Sequence, residues 1–102
     1  MGSRLSPQDQ ALYRRTDEVL HYVWDPIGVA TVPTARDEYS GYALRVLGML
    51  LESVEIQPLA AFLLEIEGES MGLTPKPEHA ELVAELLVGW KRALTDKYSR
   101  SL

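Results

Sequence analysis

A chain of 102 residues, 46% hydrophobic and 25% charged, is a single globular domain's worth of sequence. It contains no cysteine, which excludes disulfides, cysteine-based metal sites and cysteine nucleophiles. The formal net charge is −5, and residues 53–72 carry Glu55, Glu65, Glu67 and Glu69 without any Lys or Arg, so the basic face that a phosphate backbone needs is missing and no nucleic-acid partner is expected.

There is no apolar stretch long enough to span a bilayer, and "MGSRLSPQDQ" lacks the apolar centre of a signal peptide. No membrane partner is expected, and the expected location is cytoplasmic. Residues 1–6 are expected to form a disordered tail that is partly tag-derived.

The first helix is predicted over 7–24. Ser6 suits the N-cap, Pro7 suits the first helical position, and Leu12, Val19, Leu20, Val23 and Trp24 recur at helical spacing. Asp25-Pro26-Ile27-Gly28 then has the residue choice of a type I turn, with the Asp25 carboxylate expected to accept the N–H two residues on. "IGVATV" (27–32) reads as an extended loop, since a lone strand would have no partner.

The second helix is predicted over 35–52. Thr34 with Asp37 resembles a capping box, Asp37 and Glu38 fall in the first turn, and Tyr39, Tyr42, Ala43, Val46, Leu47 and Leu50 form the inward stripe. The third is predicted over 56–71, with Ile56, Leu59, Ala60, Leu63 and Ile66 inward and Pro58 confined to the first turn. Gly72 is its expected left-handed cap. Glu65 and Glu69, four apart, read as a solvated face.

The fourth helix is predicted over 77–97, with Val83, Leu86, Leu87, Trp90 and Leu94 on one face. Leu82, Ala84 and Val88 widen its apolar arc beyond a core-facing stripe. That excess predicts weak self-association through this helix. The expected fold is all-α: a small antiparallel helical domain of about four helices, with a Pro/Gly turn after the first, forming one domain over 1–102.

Trp24, Asp25, Asp37, Glu38 and Tyr39 stand at the two ends of one short connection. Turn formation and capping explain each of them singly. Their grouping, two aromatics and three carboxylates, makes them the candidate partner-binding residues. His21 lies one helical turn before Asp25, but the histidines show no paired-ligand or triad spacing, and a surface position is expected for His21. No catalytic residue, metal site or cofactor is expected.

"WDPIGV", "ARDEYSGYALRVLGMLL" and "LEIEGESMGL" together resemble a family of small uncharacterised bacterial proteins, a domain of unknown function. Its members carry a Trp-Asp-Pro-Ile-Gly turn, an Asp-Glu-Tyr segment and a Met-Gly near the end of the third helix. The likeness covers about residues 17–90. It implies an all-α fold and transfers no catalytic residue or ligand. Small stand-alone members of this kind suit an immunity- or accessory-type partner of a larger protein.

The favoured reading is therefore a small protein-interaction module, with a basic protein as the natural partner for clustered carboxylates. The alternative is a small ligand- or metal-binding enzyme using the Trp24/Asp25/Asp37/Glu38 corner. Burial separates the two. An exposed Trp24 ring beside free carboxylates favours interaction, whereas a buried ring with a pocket between Asp25 and Asp37 favours a ligand.

Overall fold

The computed structural model describes residues 5–100, and among these there are helices and turns but no strand. Helix α1 (Pro7–Val19) runs directly into a π-helical turn (Leu20–Trp24), and α2 spans Ser40–Glu52. Helix α3 (Ile56–Glu65) also ends in a π turn (Ile66–Ser70), and α4 spans Pro77–Arg100. The all-α antiparallel architecture read from the sequence is the one observed.

Local signals explain most of the boundaries. The Ser6 hydroxyl accepts the Asp9 N–H at 3.1 Å, and Pro7 opens α1. Leu5 packs against the core; the first four residues of the expected tail lie outside the described residues. Pro58 falls in the first turn of α3, where no intrahelical partner is lost.

Gly72 takes φ +67°, and the Leu73 N–H reaches back to the Glu67 carbonyl at 2.8 Å. This is a glycine C-cap. Nothing lies within 4 Å of where a Gly72 Cβ would stand, so any cost of a side chain there is conformational. Gly72→Ala should destabilise by about 1 kcal/mol and lower the melting temperature by roughly 4–8 °C. Gly72→Asn should lose less, and thermal denaturation of the two variants checks the ordering.

Helix α4 is the spine. It runs antiparallel to α1: the His79 ring meets the Val23 carbonyl at 2.7 Å at one end, and the Tyr98 hydroxyl reaches the Pro7 carbonyl at 3.4 Å at the other. Helix α3 lies along another side of α4, with the Gln57 amide donating to Glu81 at 2.9 Å. Helix α1 packs on both α2 and α4, while those two scarcely touch each other. Leu12 of α1, Leu20 and Trp24 of the π turn after it, Val46 and Leu50 of α2, Leu63 of α3 and Val83 and Leu87 of α4 fill the shared core. Each such side chain contributes about 1.5–3 kcal/mol on burial.

Two elements depart from the sequence reading. Helix α2 starts at Ser40, not near residue 35, and the Thr34/Asp37 capping box does not form. Pro33–Ala35 make a 3-10 turn instead, and turns continue to Tyr39, whose ring is drawn into the core. Asp37 and Glu38 therefore precede the helix.

On α4, Leu86 and Trp90 point outward, not inward. Ala80 and Ala84 sit in the buried arc with Val83 and Leu87. Val88 of the widened arc is buried with them, whereas Leu82 stays exposed.

Candidate functional site: the Trp24 corner and the face of α2

The two π turns build the corner. The Asp25 N–H bonds to the Leu20 carbonyl five residues back at 3.0 Å, and the Met71 N–H bonds likewise to the Ile66 carbonyl at 2.9 Å. Each widened turn inserts one residue into the helical phase, as π bulges do. The first turns Trp24 fully inward, to 2% exposure, and leaves Val23 half-buried. The second does the same for Glu67, which is 3% exposed.

Those two residues meet. The Trp24 indole N–H donates to Glu67 Oε2 at 2.7 Å, and the Lys76 N–H donates to Oε1 at 3.0 Å. Lys76 lies between Pro75 and Pro77, neither of which has an N–H, so it offers the amide available at that point of the linker. One buried carboxylate thus ties the end of α1 to the α3–α4 linker. The His79 ring, against the Val23 and Trp24 carbonyls, fastens the start of α4 to the same end.

Asp25 organises the other side. It has φ +34°, a left-handed conformation that aspartate tolerates better than most residues. Its Oδ1 accepts the Val29 N–H at 2.7 Å and the Tyr39 hydroxyl at 2.8 Å, and its Oδ2 accepts the Ala30 N–H at 3.0 Å. The Ile27 N–H, the partner expected for Asp25, goes to the Tyr39 oxygen at 3.1 Å. The chain does reverse through a Gly28 N–H to Asp25 carbonyl bond of 3.2 Å. The side chain, however, caps a wider loop than a type I turn.

Burial raises the Asp25 carboxyl pKa, but the donors from Val29, Tyr39 and Ala30, helped by the nearby His21, outweigh it. The net result lies below the usual 3.8. Burial pushes the Tyr39 hydroxyl strongly up, and donation to Asp25 adds to the shift.

Three of the five candidate residues therefore come together as an internal scaffold, Trp24 and Tyr39 buried and Asp25 partly so. The Trp24 and Tyr39 rings lie 5.4 Å apart, and Asp25 is satisfied by internal donors. Asp37 and Glu38 stand outside it, exposed to solvent. His21, expected at the surface, is buried, with the Tyr22 ring edge-on at 4.5 Å and the Tyr39 ring at 6.4 Å between centroids. Glu67 and His79 were not legible as part of the corner, since nothing in a local pattern pairs residues 43 or 56 positions apart.

A cleft of about 500 Å³ runs beside the corner, bordered by Val23, Asp25, Pro26, Thr74, Lys76 and His79. It does not lie between Asp25 and Asp37, and the Asp25, Glu67 and His79 groups along it are already hydrogen-bonded within the chain. Among the described residues, no three His, Asp or Glu side chains converge as a metal centre requires. No described helix is long and apolar enough to cross a membrane.

Free surface of another kind lies next to the connection. On α2, Leu44 is 59% exposed and Leu51 41% exposed. Gly41 and Gly48 alternate with them along one side of the helix, and nothing lies within 4 Å of where a Cβ of either would stand. Exposed Asp37 and Glu38 precede this face, and exposed Glu52 and Glu55 follow it. The Arg36 guanidinium pairs with Asp17 at 2.9 Å and the Asp17 carboxylate accepts the Ser40 hydroxyl at 3.4 Å, holding this end of the connection on α1. No protein family, curated protein or solved structure matches this chain.

Proposed function

We propose that the protein is a small interaction module, an accessory- or immunity-type partner that takes up an apolar, basic segment of a larger protein. The observation that carries this reading is the outward face of α2. Two leucines, about half exposed, flank a glycine that leaves open space, and carboxylates stand at both ends. Across residues 37–55 there are four carboxylates and a single cation, Arg45, whose guanidinium rests over the Phe62 ring at 4.9 Å.

An apolar strip with acid at both ends suits an amphipathic helix carrying leucine on one side and lysine or arginine at its ends. The Trp24–Asp25–Tyr39 scaffold has a supporting role here. It holds the connection rigid, so that Asp37 and Glu38 are presented in a fixed place.

A synthetic amphipathic peptide of Leu and Lys, titrated by fluorescence anisotropy, tests this. It should bind in the micromolar range, and an isosteric Leu/Glu peptide should not bind. Leu44→Glu should weaken binding by about tenfold or more, the loss of one buried leucine contact. Asp37→Asn with Glu38→Gln should weaken it several-fold, more at low salt than at high salt, with the melting temperature unchanged. Equal affinity for both peptides, or indifference to Leu44→Glu, would refute the reading.

A further inference from the structure

Helix α4 carries a second free face, separated from that of α2 by the intervening α1. Leu82 is 49% exposed and Leu86 39% exposed, and Gly89 and Ala93 are exposed beyond them. These four, spaced four, three and four residues apart, fall on one side of the helix, the spacing of a coiled-coil seam. Exposed Glu85 and Arg92 flank the seam along one side.

Gly89 is the unexplained residue. It sits inside a helix of 24 residues, where glycine is less stable than alanine, and nothing within 4 Å of a Cβ there would be disturbed. Nothing within the chain requires it to be small.

We infer that α4 pairs with α4 of a second copy of this chain, antiparallel, about a two-fold axis level with Leu87 and Val88. In that register the spacing of the seam reads the same in both directions. Leu86 of one copy faces Gly89 of the other, and Leu82 faces Ala93. Each large side chain meets a small one, as close helix packing requires. Along one flank of the seam Glu85 of each copy comes beside Arg92 of the other, so the two-fold supplies the charge pair twice.

The opposite polarity of the two halves of α4 makes the arrangement self-complementary. Residues 77–88 carry Glu78, Glu81 and Glu85 without Lys or Arg, whereas residues 89–100 carry Lys91, Arg92, Lys97 and Arg100 against Asp96. A parallel pair would set like charges together. The face of α2 does not share this property: pairing it antiparallel with itself would bring Asp37 against Glu55, acid on acid. That difference is why α2 calls for a basic partner and α4 for its own copy.

One pair of helices buries less than the roughly 1,200 Å² of stable interfaces, so the dimer should be weak, with a Kd of roughly 10–100 μM. Sedimentation equilibrium from about 5 to about 500 μM brackets that value. A monomer throughout overturns the inference.

Gly89→Leu should keep or raise the melting temperature, because the protomer has room and leucine favours helix. It should weaken association more than tenfold by filling the gap that Leu86 of the other copy enters. Association unchanged in this variant also overturns the inference.

Glu85→Lys alone and Arg92→Glu alone should each weaken the dimer about tenfold, by turning two attractions into repulsions. The combined variant should recover wild-type affinity within about twofold. Failure to recover overturns the register. Leu44→Glu should leave self-association untouched, so this result and that of the Leu/Lys peptide stand or fall separately.

Discussion

Asp25→Ala is expected to lower the melting temperature by roughly 10–20 °C, well beyond the loss of a simple turn cap. The Asp25 carboxylate holds the Val29 N–H, the Ala30 N–H and the Tyr39 hydroxyl at once. Alanine would leave all three without that acceptor, at about 1 kcal/mol each. Whole-domain stability at this size is roughly 5–15 kcal/mol, so about 3 kcal/mol is a large share of it.

Asp25→Asn separates hydrogen bonding from charge. Its amide oxygen can keep the two donors on Oδ1, Val29 and Tyr39, but its NH2 would confront the Ala30 N–H. A loss of about 1–2 kcal/mol is expected, between wild type and alanine.

The pH dependence has a definite sign. The folded-state pKa of Asp25 lies below its ordinary 3.8, so the charged carboxylate stabilises the fold above that value. The contribution is complete above about pH 5 and is lost as pH falls through the folded-state pKa. Urea denaturation from neutral pH downward should show the gap between wild type and Asp25→Asn closing below about pH 4. A gap that stays constant to the acid limit would remove the carboxylate from this role.

Glu67→Ala should be as severe or worse, costing about 4 kcal/mol. It would strand the Trp24 indole N–H and the Lys76 N–H, and open a hole where α1 meets the α3–α4 linker. Glu67→Gln keeps the volume, yet its single amide oxygen cannot serve both donors well, and about 2 kcal/mol is expected. Trp24→Phe removes one of those donors. In a double-mutant cycle, Trp24→Phe and Glu67→Gln should therefore cost at least 1 kcal/mol less together than the sum of their separate effects. Additive losses would show that the 2.7 Å contact contributes nothing specific to stability.

What was legible in the sequence follows from short-range physics. Helical spacing, the Ser6 cap with Pro7, the Gly72 cap and Pro77 at the head of α4 each act within a turn or two of chain. They located the four helices, and the Asp25-Pro26-Ile27-Gly28 run located the reversal after Trp24. Asp25 and Tyr39 were rightly grouped at one corner because a short connection joins them. Which way the members of that group face was not legible, since a period of 3.6 residues does not announce a π turn. Both Val23 and Trp24 fit the stripe, and the widened turn chose Trp24.

The tertiary structure decided the rest, because it rests on pairings that no local pattern encodes. Glu67 looked like one more carboxylate in an acidic stretch until the fold set it against Trp24. The start of α2 moved to Ser40 because the Tyr39 ring gains more from burial than Thr34 gains from capping. Leu86 and Trp90 are as apolar as Val83 and Leu87, and the sequence alone ranks them together. Only the packing of the neighbouring helices against the Ala80, Val83, Ala84 and Leu87 side of α4 determined which of them would be covered and which left exposed.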